Sequence, residues 1–145
     1  MESKKHAQAY ADFYESLHKD VAKSEYAHFF DENSSFEDPF QKVKGLDLIY
    51  AIFENMYTSL HKPHFKIDEI ISADGVSYIR WEFCYALSNT SKQDSFVGIS
   101  RVTFTHDGHV KEHIDYWDVA EHVYEKIPLL GSLLRLLKRK LHVSK

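Results

Sequence analysis

The stretch Val110 to Asp118, V-K-E-H-I-D-Y-W-D, decides how the rest of this sequence is interpreted. As a β-strand, it would send alternate side chains to opposite faces of a sheet. His113, Asp115 and Trp117 then share one face. Trp is uncommon on a solvent-facing strand, and His next to Asp is uncommon in a dry core. The pattern therefore predicts a face that lines a cavity, with the remainder of the chain forming the walls.

Composition indicates one folded, cytoplasmic domain. The chain has 145 residues, of which 43% are hydrophobic and 14% aromatic, enough to build a core. A net charge of −4 argues against nucleic acid as the main partner. The single cysteine, Cys84, cannot form an internal disulfide and favours a reducing compartment. The N-terminus lacks an apolar signal region, and no apolar run reaches the length of a membrane span.

Helical spacing of apolar residues predicts that the first part of the chain is mainly helical. One helix covers 4–19, and a short second one follows a possible cap at Ser24. A third begins after Gly45 and ends before Pro63. A short strand, 34–38, lies between the second and third helices.

Long strands dominate the second part of the chain. Alternation predicts strands at 64–72, 76–87, 96–105 and 110–118, with tight turns at Ala73–Gly75 and His106–His109. The alternation breaks between Ile67 and Ile70, which indicates a β-bulge. Helices grouped apart from an antiparallel sheet predict an α+β fold. We expect a curved sheet wrapped around the N-terminal helices, with a pocket between the two layers.

The C-terminal segment forms a separate amphipathic, basic helix in this interpretation. We place a cone-shaped domain at 1–126 and this helix at 127–145. A membrane-surface helix and a helix that packs over the cone or a partner subunit are both compatible with the pattern. The apolar stripe is Leu129, Leu130, Leu133, Leu134, Leu136, Leu137 and Leu141, with Arg135, Lys138, Arg139 and Lys140 beside and after it.

Several motifs together resemble the SnoaL-like branch of the nuclear transport factor 2-like superfamily. They are an opening helix with Tyr14, F-E-D-P at Phe36–Pro39, G-x-x-x-I at Gly45–Ile49, R-V-T-F-x-x-D-G at Arg101–Gly108, and H-x-D-Y-W-D at His113–Asp118. The likeness covers roughly residues 5–120 and implies a cystatin-like cone. It says less about function, because this fold hosts many chemistries.

Enzymes that share this fold suggest roles for individual residues. In ketosteroid isomerases, a helix-one tyrosine and an E-D-P aspartate act as oxyanion donor and general base, and Tyr14 and Asp38 match their spacing. The second oxyanion donor of those isomerases, a protonated aspartate, falls on Ser100, a weaker donor. SnoaL-like polyketide cyclases place an acid/base aspartate on the late strand, where Asp115 lies.

Limonene epoxide hydrolases offer a further comparison. Their Arg-x-Asp pair with a late-strand aspartate is similar to Arg80-x-Glu82 with Asp115. Strand alternation lets only one of two sets face the cavity, either Arg80 and Glu82 or Trp81 and Phe83. We favour the outward orientation of Arg80 and Glu82, in which the two residues would pair across a dimer interface.

The predicted catalytic residues are Tyr14, Asp38, His113 and Asp115. His113 and Asp115 lie about 7 Å apart along the strand and could together take a proton from a carbon acid. A structural His–Asp pair explains the same pattern equally well. Asp38 could equally be a turn carboxylate, since Asp–Pro commonly ends a strand. The predicted ligand-binding residues are Phe30, Phe53, Met56, Tyr57, Ser100, Val102 and Trp117.

Two classes of function remain open at this level. One is a cofactor-independent isomerase, cyclase or epoxide hydrolase that acts on a small, largely apolar carbonyl compound or epoxide. The other is a non-catalytic module that binds a ligand or lipid, or that works at a membrane through its C-terminal helix. We predict no metal site, because the histidine pairs His61/His64 and His106/His109 lack ligand spacing. We also predict a homodimer formed through the sheet.

Overall fold

Five helices and six strands make up the described residues, 2–122 and 128–141, of the computed structural model. The helices are α1 (Glu2–Ser16), α2 (Lys23–Tyr26), α3 (Leu46–Ser59), α4 (Val119–His122) and α5 (Pro128–Leu141). The strands are β1 (Ser35–Asp38), β2 (Gln41–Lys44), β3 (His61–Ala73), β4 (Val76–Ala86), β5 (Asp94–Phe104) and β6 (Val110–Tyr116). The prediction of an α+β fold is confirmed. The predicted boundary between 1–126 and 127–145 falls among residues outside the described ranges and stays a prediction.

The strands form one curved sheet in the order β2-β1-β6-β5-β4-β3. Pairing is antiparallel except between β1 and β6, which run parallel. The expectation of a purely antiparallel sheet is therefore wrong at this one place. Parallel neighbours need a long crossover, and here α3 and four strands separate β1 from β6 in the chain. Phe36 on β1 lies opposite His113 on β6 as a result.

A β-bulge bends the long outer hairpin, as the broken alternation predicts. Ile67 pairs with Trp81 and Glu69 with Arg80, so Asp68 is an inserted residue without a cross-strand counterpart. Such an insertion bends and twists the strand that carries it. The carboxylate of Asp68 binds the guanidinium of Arg80 on the outer face of the sheet.

In β4, the aromatic pair Trp81 and Phe83 faces the cavity, and the charged pair Arg80 and Glu82 does not. Trp81 and Phe83 are buried on the inner face, and Arg80 is exposed on the outer face. Glu82, also on the outer face, accepts a hydrogen bond from Ser95 of the same chain. Arg80 and Glu82 thus have partners within their own chain, so the hydrolase-like arrangement is not formed inside the cavity.

The core lies between α1, α3 and the inner face of the sheet. Helix α1 packs against β3, β4 and β5, because its apolar residues recur every three or four positions on one side. Gly98 on β5 pairs with Trp81, and a Cβ at that position would overlap the indole ring. The absence of a side chain at Gly98 therefore lets Trp81 lie flat over β5. The buried core consists mainly of Tyr10, Phe13, Tyr14, Leu17, Tyr26, Phe30, Phe36, Ile49, Phe53, Ile79, Trp81, Phe83, Val102 and Val110.

Candidate functional site

A cavity of about 600 Å³ opens between α1, α3 and the inner face of the sheet. This volume falls within the range of small-molecule sites. Aromatic side chains form a large part of its wall, including Phe96 stacked on Trp117 with ring centroids 4.3 Å apart. The aromatic lining residues are Tyr14, Phe36, Phe40, Phe53, Phe65, Trp81, Phe83, Tyr85, Phe96 and Trp117. An apolar ligand would therefore be well accommodated.

Strand β6 carries the polar pair that the sequence singles out. His113 is 1% exposed, with its ring stacked on Phe36 at a centroid distance of 4.3 Å. Its Nε2 lies 2.6 Å from Oδ1 of Asp115. The Asp115 side chain is 17% exposed and lines the cavity. Asp115 therefore faces the ligand space, and His113 lies behind it.

Helix α1 completes the bonding of His113. The hydroxyl of Tyr10 lies 2.8 Å from Nδ1 of His113. The hydroxyl of Tyr14, one helical turn further, lies 3.1 Å from that of Tyr10. Both ring nitrogens of the buried imidazole are thus satisfied, one from the helix and one from the strand. Only Tyr14 of the two tyrosines lines the cavity.

A second pair of donors reaches Asp115 from the neighbouring strands. Ser100 on β5 donates its hydroxyl to Oδ1 of Asp115 at 2.5 Å. Trp81 on β4 donates its indole N–H to the Ser100 oxygen at 2.8 Å. We call the six residues Tyr14, Tyr10, His113, Asp115, Ser100 and Trp81 the Asp115 network.

The two bonds to Asp115 end on the same oxygen. Oδ1 accepts from both His113 and Ser100, and Oδ2 has no hydrogen-bond partner among the described residues. Two donors fix the plane of the carboxylate, and the remaining oxygen is available to a bound molecule.

The direction of each proton in the Asp115 network follows from its fixed members. The indole of Trp81 can only donate, and an ionised carboxylate can only accept. With His113 neutral, its Nε2–H donates to Asp115, so its Nδ1 must accept from Tyr10. Tyr10 then accepts from Tyr14. This end of the cavity therefore presents acceptor oxygens, those of Asp115 and Tyr14, and both hydroxyl protons point away from the ligand space.

Burial keeps both tyrosines of the network neutral. Loss of hydration raises the pKa of Tyr10 well above its ordinary value, and the charge of Asp115 raises it further. Burial likewise raises the pKa of Tyr14, with additional contributions from Tyr10 and Asp115. Both side chains therefore serve as hydroxyl groups, and neither serves as a phenolate base at physiological pH.

Asp38 lies at the edge of the same cavity but outside the Asp115 network. Its Oδ1 accepts hydrogen bonds from the backbone N–H groups of Phe40 and Gln41. Its Oδ2 accepts from the Gln41 side chain at 3.2 Å. These bonds close the turn between β1 and β2, which is the turn-carboxylate alternative noted above. Asp38 also lines the cavity, so contact with a ligand there stays a prediction.

The structure divides the predicted ligand-binding residues into two groups. Phe53, Met56 and Trp117 line the cavity. Phe30, Tyr57, Ser100 and Val102 are not among its lining residues. Phe30 and Val102 are 1% and 0% exposed, because they lie deeper in the core. Ser100 is covered by its bonds to Trp81 and Asp115, and it acts on a ligand only through Asp115.

Sequence reasoning missed Tyr10 as part of the site. Its helical spacing marks it only as a core residue, and its hydroxyl partner is 103 positions away in the chain. A signal does exist, because tyrosines at i and i+4 place two hydroxyls on one helix face. Within residues 2–122 and 128–141, no group of three or more His, Cys, Asp and Glu side chains is arranged to hold a metal ion.

The Tyr10 hydroxyl should be essential for stability because it satisfies a buried ring nitrogen. We expect Tyr10→Phe to lower the free energy of unfolding by about 1–3 kcal/mol, since Nδ1 of His113 loses its partner. Chemical denaturation measures this change. The control is Tyr50→Phe, which removes a hydroxyl from a half-buried side chain on α3, away from His113 and from the outer face of the sheet. Equal effects of the two substitutions would show that the Tyr10–His113 hydrogen bond adds nothing to the free energy of unfolding.

Comparison with known proteins agrees with this architecture. No curated protein matches the sequence. A proposed SnoaL-like polyketide cyclase from Jannaschia superposes with a TM-score of 0.70 at 9% identity, covering 81% of this chain and 88% of that one. An NTF2-like protein of unknown function from Burkholderia pseudomallei gives 0.69 at 14% identity, covering 85% and 95%.

A third similar structure contains a small ligand. It is a hypothetical protein with a ketosteroid isomerase-like fold from Catenulispora acidiphila, in complex with trimethylamine, with a TM-score of 0.66 at 10% identity and coverage of 80% and 87%. These low identities show a shared fold. The family model for the SnoaL-like domain matches residues 7–113, most of the chain. The chain therefore belongs to the SnoaL-like domain family, within the NTF2-like superfamily.

Proposed function

We propose that the cavity binds a small, largely apolar molecule and that Asp115 exchanges a proton with it. One observation carries this proposal: Oδ1 of Asp115 is held by two donors, while Oδ2 is left for the ligand space. A carboxylate fixed in this way needs no reorganisation before it accepts a proton. The family, which includes cyclases and isomerases, is compatible with such chemistry.

The proposed step is proton removal from a carbon next to a carbonyl group. The C–H proton moves to Oδ2 of Asp115, and the electron pair of the broken bond forms an enolate in the substrate. Return of the proton to another carbon gives an isomer, and attack of the enolate carbon on a second carbonyl gives a ring. For an epoxide, the same oxygen would instead take a proton from the attacking water. Isomerisation and ring closure both return the proton from Asp115 to the substrate. In the epoxide version water is the second reactant: as its oxygen bonds to carbon, the carbon–oxygen bond of the ring breaks, and the alkoxide that forms takes up the proton from Asp115.

His113 and Tyr14 have defined parts in this proposal. A developing enolate oxygen needs a hydrogen-bond donor. If His113 gains a second proton, its Nδ1–H donates to Tyr10, and Tyr10 then donates to Tyr14. The hydroxyl of Tyr14 is thereby released to donate into the cavity. His113 and Tyr10 are positioning residues in this scheme, and Asp115 and Tyr14 touch the substrate, with Asp38 at the cavity edge.

Replacing Asp115 by Asn tests the proposal without knowledge of the natural substrate. Carbonyl compounds with one acidic C–H position are incubated in D₂O, and NMR follows the exchange of that hydrogen. We expect exchange above background with the wild-type protein and a loss of at least about 100-fold in Asp115→Asn, the usual size of a general-base contribution.

The matched control for this experiment is Asp118→Asn. Asp118 is exposed, and its carboxylate caps the backbone N–H of Glu121. The control should keep full exchange activity. If Asp115→Asn instead loses most of its folding stability, or if no compound in the panel exchanges, the pair is structural and proton transfer is not the function.

Non-catalytic binding of an amine is the second candidate. Acceptor oxygens at the network end and aromatic rings around it favour a ligand that carries N–H donors or a positive charge. The trimethylamine in the structure from Catenulispora acidiphila is a ligand of this class in the same fold. A cation beside Oδ2 would also be neutralised by the ionised Asp115.

Paired ligands separate this candidate from simple apolar binding. We expect an alkyltrimethylammonium ion to bind at least tenfold more tightly than the neutral compound with carbon in place of nitrogen. Quenching of Trp81 and Trp117 fluorescence reports binding, since both line the cavity. Asp115→Asn should remove the preference and leave the neutral compound unaffected. Equal affinities of the two compounds for the wild-type protein would contradict amine recognition.

We also propose a homodimer through the outer face of the sheet. Two cross-strand pairs of exposed apolar side chains lie there, Ile71 with Tyr78 and Ile99 with Tyr116, and Val97 lies two residues before Ile99. Between strands β4 and β5, Tyr78 is paired with Arg101 and Ile99 with Arg80, so charged side chains lie among the apolar ones. Exposed apolar side chains bordered by polar ones are a common interaction surface. Facing copies of this patch would cover each other by two-fold symmetry.

Sedimentation velocity tests the dimer with one substitution and one control. The wild-type chain of 17.0 kDa should sediment at about twice its mass. Ile99→Glu should give monomers, because it places two charges in the interface. Leu48→Glu, at a helix position that is 55% exposed, should stay dimeric. A wild-type protein that is monomeric at micromolar concentration would exclude this interface.

A further inference from the structure

Helix α5 differs in charge from the rest of the protein. All four of its ionisable side chains, Arg135, Lys138, Arg139 and Lys140, are basic. The whole chain carries a net charge of −4. Helix α5 therefore combines four basic residues with no acidic ones, in a protein that is acidic as a whole. Such a segment is attracted to an anionic partner.

Four leucines of α5 are exposed to solvent. Leu133, Leu137 and Leu141 follow one another at intervals of four, and Leu136 lies beside them. Their exposed fractions are 52%, 46%, 81% and 40% in the order given. Helix α3, by contrast, buries Ile49 and Phe53 against the core. These four leucines of α5 are thus left largely uncovered in the isolated chain.

Apolar and basic side chains are separated more sharply in α5 than in α1 or α3, while its mean hydropathy stays close to zero. This combination is characteristic of helices that lie in the plane of a membrane interface. At a rise of about 1.5 Å per residue, its 14 residues are too short to cross a bilayer core. Within the described ranges, none of the helices has the length and apolar character needed for a membrane crossing.

We propose that α5 docks the protein on an anionic phospholipid surface. Leu133, Leu136, Leu137 and Leu141 enter the boundary between headgroups and acyl chains, and the basic side chains contact the phosphates. This occupant fits better than a protein groove, because it matches both the exposed leucines and the basic composition of the helix. The proposal concerns a surface separate from the cavity, and its test needs no substrate.

Vesicle flotation with the full chain tests this proposal. Vesicles of phosphatidylcholine alone are compared with vesicles that contain 30 mol% phosphatidylglycerol. We expect binding to the anionic vesicles, little binding to the neutral ones, and release when salt is raised, because salt screens the attraction.

Two pairs of variants separate the contributions of charge and apolar contact. Arg139→Glu with Lys140→Glu should weaken binding by roughly 30-fold or more, since each basic residue near an anionic surface contributes a factor of about five. Lys4→Glu with Lys5→Glu, the same charge change on exposed positions of α1, should have little effect. Leu137→Glu should abolish binding, and Leu48→Glu should not.

Three outcomes would contradict the proposal that α5 docks on an anionic phospholipid surface. Equal effects of the two charge reversals would mean that net charge alone drives binding and that α5 is not the docking element. Absence of binding to anionic vesicles would overturn the proposal. Salt-sensitive self-association without vesicles, lost in Arg139→Glu with Lys140→Glu, would show that α5 binds the acidic surface of another copy instead.

Discussion

The buried imidazole of His113 is bonded at both ring nitrogens, and the arrangement of the two layers depends on it. A buried polar group without a partner costs about 1–3 kcal/mol, so each of its two bonds restricts the structure. One bond comes from Tyr10 on α1 and the other from Asp115 on β6. Helix α1 can therefore neither rotate nor shift along the sheet without exposing an unpaired nitrogen. The hydrophobic packing around it has no comparable directional requirement.

The same bonding pattern determines where the cavity ends. Phe36 covers one face of the imidazole, and Tyr14 lies parallel to it at a centroid distance of 6.0 Å. These rings separate His113 from the cavity and leave Asp115 as the member of the His–Asp pair that lines it. Gly98 contributes from the opposite side, because its missing side chain makes room for the indole that bonds Ser100. A small set of contacts thus orients the Asp115 carboxylate at one end of a largely apolar cavity.

Sequence periodicity predicted five of the six strands, because each of them has a covered face, and it missed β2, in which no residue is buried. Alternation in β6 correctly places His113 and Asp115 together, and broken alternation in β3 correctly marks the bulge at Asp68. The parallel pairing of β1 with β6 could not be predicted in the same way. It depends on contacts between segments more than 70 residues apart, which leave no local pattern.

The site was harder to predict. The alternation of side chains along a strand tells which face of the sheet a residue is on, but not how deeply it is buried. Val102 and Asp115 both point to the inner side of the sheet, yet Val102 is fully buried and Asp115 reaches the cavity. The difference arises from what α1 and α3 place above each residue. Asp38 both closes a turn and lines the cavity, and these two properties have different origins. Its hydrogen bonds within the β1–β2 turn are local, whereas its exposure to the cavity depends on elements distant in the chain.

Proton direction links the two candidate functions of the cavity. With His113 neutral, the Asp115 network offers acceptors only, which suits a cation or an N–H donor and gives no stabilisation to an enolate oxygen. With His113 protonated, the hydroxyls of Tyr10 and Tyr14 reverse, and the same wall gains a donor beside an ionised carboxylate. A single proton on a side chain that the ligand cannot touch thus separates a site suited to amine binding from one suited to proton transfer.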